Sequence, residues 1–72
     1  MRTTNTIEIT VNGEPREILA GQTIGDLLRE LGLRPELVVV EHNREILPRA
    51  YASGVEIQGG DVLELVHFVG GG

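Results

Sequence analysis

Apolar and polar residues alternate from Thr6 to Val11, with Ile7, Ile9 and Val11 on one side and Glu8 and Thr10 on the other. A repeat of two places alternate side chains on opposite faces, so this segment predicts a half-buried strand. Asn12-Gly13 follows, the dipeptide that most readily takes the positive φ angles of a tight hairpin turn. Arg16 to Leu19 then predicts the returning strand. The period changes after Gly21-Gln22. Ile24, Leu27, Leu28 and Leu31 stand at i, i+3, i+4 and i+7, a single apolar stripe of a helix facing a sheet. Thr23 is placed to cap that helix, with Asp26 as the acidic half of a capping box. Gly32 is placed to end it in a left-handed conformation, and Pro35 prevents its resumption.

Leu37 to Glu41 is rich in β-branched residues and apolar on both faces, which predicts a central strand. His42-Asn43 predicts a turn and Arg44 to Leu47 a short strand. Pro48 to Gly60 reads as irregular, with room for a turn of 3₁₀ helix and a short pairing at Val55 to Ile57. Gly59-Gly60-Asp61 predicts another turn, and Val62 to Val69 the last strand. The order ββ-α-ββ-β implies an α+β fold: a β-grasp, with a mixed sheet of four to five strands and one packed helix. The last strand should lie parallel to the first, a pairing that a helical crossover permits. Residues 1–69 form the domain on this reading, and 70–72 a flexible C-terminal glycine tail.

Composition narrows the chemistry. The 72 residues contain no Cys, which excludes disulfides, thiolate catalysis and cysteine-ligated zinc. One Phe, one Tyr and no Trp leave the core to aliphatic side chains. The formal charge of −5 repels phosphate backbones and anionic lipid, so neither nucleic acid nor a membrane is an expected partner. An acidic surface is better matched to a basic patch on another protein. No apolar run approaches a membrane span, and Met1 to Asn5 lacks the hydrophobic stretch of a secretory signal. The expected setting is therefore the cytoplasm. His42 and His67 have no second ligand at metal-binding spacing and read as a turn residue and a strand residue. Glu41, Glu45, Glu56, Asp61 and Glu64 read as a solvated face, some of it open to a basic partner. Tyr51 reads as a packing anchor of the irregular segment. Nothing resembles a catalytic pair, so the chain is not expected to be an enzyme.

The closing strand carries the functional signal. Leu63 and Leu65 point one way, and Val62, Glu64, Val66 and Phe68 the other. Glu64 marks the second face as solvated, because an unpaired buried carboxylate is costly. Val66 and Phe68 should then be exposed: either a loose cover for a sheet edge, or an apolar docking patch. Gly70-Gly71-Gly72 adds nothing to packing and reaches about 10 Å when extended. Such a run can be a frayed end. It can equally be an arm narrow enough to pass through a channel into another protein's active site, with its free N–H and C=O groups pairing with the walls. There ATP could convert the Gly72 carboxylate into an acyl-adenylate, and a sulfur donor could displace AMP to leave a thiocarboxylate.

Asn12-Gly13, Ala20-Gly21-Gln22-Thr23-Ile24 with Leu27-Leu28, Asn43 before Ile46-Leu47-Pro48-Arg49, and Gly60-Asp61 before Val69-Gly70-Gly71-Gly72 stand in an order and spacing that resemble the ThiS family of thiamine-biosynthesis sulfur carriers. The likeness spans nearly the whole chain. It implies a ubiquitin-like β-grasp and a sulfur carrier that binds no cofactor of its own. It also implies adenylation of Gly72 by an E1-like, ThiF-like adenylyltransferase that uses ATP. A sulfur donor protein would supply the thiocarboxylate sulfur, and a ThiG-like thiazole synthase would receive it. Gly71 and Gly72 match the family's terminal pair, and Gly70 stands where a small residue such as Ala is frequent. Gly70 and Gly71 would occupy the partner's channel, while Val66, Phe68 and Arg49 would dock. The competing readings are a carrier for molybdopterin or tRNA thiolation, a ubiquitin-like modifier of lysines, and a β-grasp binding module whose glycines are incidental.

Overall fold

In the computed structural model, which describes residues 5–68, β1 (Thr6–Val11) and β2 (Glu14–Leu19) form an antiparallel hairpin. Asn12 and Gly13 join them at φ 51° and 84°, the left-handed pair that matches strand twist. With Val11 opposite Glu14, pairing resumes directly after the turn, and β2 begins two residues earlier than its apolar pattern suggests. Pro15 is tolerated there because β2 is an edge strand.

Helix α1 (Ile24–Glu30) starts at Thr23, whose hydroxyl accepts from the Asp26 N–H at 3.1 Å while the Asp26 carboxylate accepts from the Thr23 N–H at 3.1 Å. The Thr23 backbone N–H, then its hydroxyl, hold the Asp26 carboxyl below its usual range, against a small opposing effect of burial. Gly32 takes φ 75° and ends the helix as its position predicts. Pro35–Leu37 then forms a short 3₁₀ turn ahead of β3 (Val38–His42).

The sheet order is β2-β1-β5-β3-β4, where β4 is Glu45–Ile46 and β5 is Val62–His67. β5 lies parallel to β1 and antiparallel to β3. β3 is interior, with neighbours on both edges, but the middle position belongs to β5. The register His42 opposite Glu45 leaves Asn43 and Arg44, at φ 50° and 74°, as the two turn residues. His42 therefore closes β3 rather than opening the turn. An arginine in the left-handed region costs about 1 kcal/mol, which is why its sequence gives no turn signal. The segment read as irregular contains one turn of α-helix, α2 (Arg49–Ala52), and a single bridge from Glu56 back to Thr23.

The core lies between α1 and one face of the sheet. Ile9, Ile24, Leu27, Leu28, Ile57 and Leu63 are almost wholly buried, and each contributes about 2 kcal/mol by leaving water. Gly25 is buried with them, and its N–H donates to the Ser53 carbonyl at 2.9 Å. A Cβ at Gly25 would stand 2.9 Å from that oxygen and 3.0 Å from the Ser53 Cβ. Alanine is normally the better helix residue by about 1 kcal/mol. Here overpacking outweighs that gain, since the obstacle is backbone rather than a flexible tip. Gly25→Ala should destabilise by about 1–2 kcal/mol in urea denaturation. A raised midpoint would show that the α1–Ser53 contact yields without strain.

Candidate functional site

The parity of β5 separates its side chains as the alternation predicts. Leu63 and Leu65 are buried, whereas Val62, Val66 and Phe68 are exposed. Antiparallel pairing sets Val39 opposite Val66 and Glu41 opposite Glu64, and β4 sets Ile46 opposite Glu41. Directly opposed residues share a face, so Val39, Ile46, Val66, Glu41 and Glu64 lie together on the side of the sheet away from α1. Phe68 follows in the same parity. At 55 %, 52 % and 68 % exposure, Val66, Phe68 and Ile46 form an apolar surface on a small domain.

Two carboxylates face each other within this apolar surface. Glu41 and Glu64 are direct cross-strand partners, and like charges in that position repel. Among the described residues, the ion pairs are Asp26–Arg29, Arg34–Glu36 and His42–Asp61, so neither glutamate has an ion-pair partner there. Apolar contacts around these carboxylates suit a partner that supplies both an apolar surface and a cation.

The strand leading to the tail is held on both edges. On the β3 side, the Phe68 N–H donates to the Leu37 carbonyl at 2.8 Å. On the β1 side, the Asn12 N–H donates to the Leu63 carbonyl at 2.9 Å, the last backbone bond before the hairpin turns away. Beyond it the Asn12 side chain takes over. Its Oδ1 accepts from the Leu65 N–H at 2.7 Å, and its Nδ2 donates to the Leu65 carbonyl at 3.3 Å.

The start of β5 is fixed by a polar knot around the buried Asp61 carboxylate. The Asp61 carboxylate accepts from the Gln58 N–H at 2.8 Å, from His42 Nε2 at 2.8 Å and from Asn43 Nδ2 at 3.1 Å. A carboxylate only accepts, so His42 carries its proton on Nε2. Asn43 Oδ1 in turn accepts from the Val62 N–H at 2.8 Å. Burial by itself would raise the Asp61 pKa. The Gln58 N–H, His42 and Asn43 outweigh it and hold the carboxyl below its ordinary value.

Val66 and Phe68 thus lie where the sequence places them, on the exposed face at the end of β5. Arg49 opens α2, on the α1 side of the sheet, and lines a groove with Leu28, Val38 and Leu47. It does not share the Val66–Phe68 face. Gly70, Gly71 and Gly72 lie outside the described residues. Sequence patterning did not single out Val39, Ile46 or the amide of Asn12. The first two join the site only through strand register, and the third acts across 53 residues.

The model of the ThiS family matches residues 9–72, nearly the whole chain. The chain belongs to the ThiS family. The sulfur carrier protein ThiS of Bacillus subtilis is 48 % identical over 50 residues, which cover 69 % of this chain and 76 % of that one. The crystal structure of the thiamine biosynthesis protein ThiS from Geobacter metallireducens superposes with a TM-score of 0.76 at 33 % identity, over 92 % of this chain and all of that one. That agreement fixes the fold as the ubiquitin-like β-grasp of ThiS. Thiazole synthases of Magnetococcus marinus and Paramagnetospirillum magneticum are 44 % and 42 % identical over 66 residues, covering 92 % of this chain. The chain spans about one fifth of the length of those two relatives.

Proposed function

We propose that this chain is a sulfur carrier of thiamine biosynthesis, a protein cosubstrate whose reactive atoms are the carboxylate of Gly72. Membership of the ThiS family carries the reading, and the arrangement of β5 supports it: a strand held on both edges leads from an exposed apolar and acidic face to the Gly70–Gly72 arm. In the first step a Gly72 carboxylate oxygen attacks the α-phosphorus of ATP, and the bond to pyrophosphate breaks, leaving an acyl-adenylate. In the second, a sulfur nucleophile at the hydrosulfide level attacks the acyl carbon. Its C–S bond forms as the bond to AMP breaks, and a thiocarboxylate remains. An E1-like adenylyltransferase of the ThiF type supplies the ATP site, and a sulfur donor protein the sulfur. The chain itself contributes the Gly70–Gly72 sequence, without side chains, and a docking face, and no catalytic side chain.

The likeness to a segment of two thiazole synthases supports a ThiG-type synthase as the acceptor of the sulfur. Carrier and acceptor must meet repeatedly, and a joined pair would raise their effective concentration without any new contact. The cytoplasm, where ATP is available, suits this chemistry. A mixture of the chain, ATP, the adenylyltransferase, a sulfur donor and thiazole synthase with its other substrates should form thiazole. Removing Gly72 should abolish it. Undiminished thiazole formation by the shortened chain would overturn the proposal, and sulfur transfer to molybdopterin or tRNA alone would reassign the pathway.

A further inference from the structure

Beyond serving as the first turn residue of the β1–β2 hairpin, Asn12 makes contacts that the turn does not need. A type I′ turn requires positive φ at its two central residues, and glycine satisfies that as well as asparagine does. Yet the Asn12 side chain reaches β5 and bonds both the N–H and the C=O of Leu65, at 2.7 and 3.3 Å. These are the two groups that a continued β1 would have bonded. β1 runs parallel to β5 only through Thr10 opposite Val62 and Val11 opposite Leu63, then turns back at Gly13. The amide therefore substitutes for the missing residue of the parallel ladder and carries the restraint on β5 one step further toward the tail.

Alternate residues of β5 bond to opposite neighbours. Val62 and Phe68 bond toward β3, through the Val62 carbonyl to the Asn43 N–H and the Phe68 N–H to the Leu37 carbonyl. Leu63 and Leu65 bond toward β1 and Asn12. Asn12 thus makes the last hydrogen bond on the β1 side, and Leu37 the last on the β3 side, among the described residues. Without Asn12, the end of β5 would be hydrogen-bonded on its β3 edge alone.

We infer that Asn12 is a positioning residue: its amide fixes the direction in which the chain leaves the sheet, and so aims the terminal glycine at the reacting phosphate in the partner's site. This rests on the proposed adenylation of Gly72 and concerns how that step is made efficient. Orientation of a reactant is worth several orders of magnitude in rate when complete. Freedom on the β1 edge forfeits a part of it. Docking through Val66 and Phe68 is a separate contribution, because both are tied to the β3 side, Val66 opposite Val39 and Phe68 through its N–H to the Leu37 carbonyl.

Asn12→Gly tests this, because it keeps the left-handed turn and deletes the amide. Its hairpin should persist, while hydrogen exchange at the Leu65 amide rises about tenfold or more relative to the same amide in the unaltered chain. In pyrophosphate release by the adenylyltransferase, kcat should fall about tenfold, with the KM for the carrier within about twofold. Asn12→Asp keeps the acceptor for the Leu65 N–H and loses the donor, and should recover part of the rate. Gly25→Ala, destabilised away from the tail, should keep its kcat at a temperature where it is folded. An unchanged kcat in Asn12→Gly, with Leu65 exchange raised, would overturn the inference. So would an equal loss in Gly25→Ala, since stability alone would then explain the effect. Failure of the unaltered chain to release pyrophosphate at all would instead count against the adenylation reading.

Discussion

Asp61→Ala should be the most damaging single substitution outside the aliphatic core, with an expected loss of about 2–4 kcal/mol of folding stability. The Asp61 carboxylate is buried and takes three hydrogen bonds, from the Gln58 N–H, His42 and Asn43. Removing it leaves a backbone N–H, an imidazole N–H and an amide without their acceptor. The damage is to a junction. Asn43 also bonds the Val62 N–H, so the knot ties the turn before β5 to the turn between β3 and β4. For a domain of this size the melting temperature should fall by roughly 10 °C or more. Asp61→Asn keeps the shape and one acceptor oxygen, and should cost less.

The same carboxylate gives a pH dependence of known sign. The Asp61 pKa is lowered on folding: burial opposes the shift, and the hydrogen bonds from Gln58, His42 and Asn43 outweigh it. A group with a depressed folded pKa contributes stability above its unfolded value, about 3.9, and loses that contribution as pH falls through the folded value. The stability difference between the unaltered chain and Asp61→Ala should be fully present above the unfolded value and should shrink in acid below it. Urea denaturation at pH 7 and near pH 3 measures both ends. A difference that stays constant, or grows in acid, would show that charge on Asp61 does not stabilise the fold.

Phe68→Ala should have the largest effect on association. An exposed aromatic at the edge of an apolar surface has the character of an interface hot spot. Its truncation should weaken binding to the adenylyltransferase about tenfold to a hundredfold, equivalent to about 1.4–2.8 kcal/mol. Phe68 is 52 % exposed and follows the last strand residue, so stability should change by no more than about 0.5 kcal/mol. Titration calorimetry and thermal melts separate the two. A large loss of stability with unaltered binding would make Phe68 a packing residue and move the docking surface elsewhere.

Much of this site was legible in the sequence because it depends on local periodicity. Alternation in β5 alone, with Glu64 marking the wet face, placed Val66 and Phe68 outside and Leu63 and Leu65 inside. Thr23 and Asp26 announced the helix start because a capping box is local chemistry. The remainder depends on register between strands distant in sequence. Ile46 and Val39 belong to the docking face only because β3 lies between β4 and β5. The bond from Asn12 to Leu65 and the knot of His42 and Asn43 on Asp61 leave no periodic trace, since each residue reads locally as a turn former. Arg44 hid its turn because arginine is an unusual choice for positive φ. Arg49, grouped with Val66 and Phe68 through the family pattern, belongs to the other side of the sheet, a separation that no spacing along the chain encodes.

On the proposed function, the chain acts through the carboxylate of Gly72. Intact-protein mass spectrometry, after incubation with ATP, the adenylyltransferase and a sulfur donor, tests it most directly, with fragmentation to locate any change. The expected result is replacement of one oxygen by sulfur in the C-terminal residue, dependent on ATP and absent when Gly72 is deleted. An unchanged mass, sulfur located elsewhere in the chain, or Gly72 joined to a lysine of another protein would contradict it.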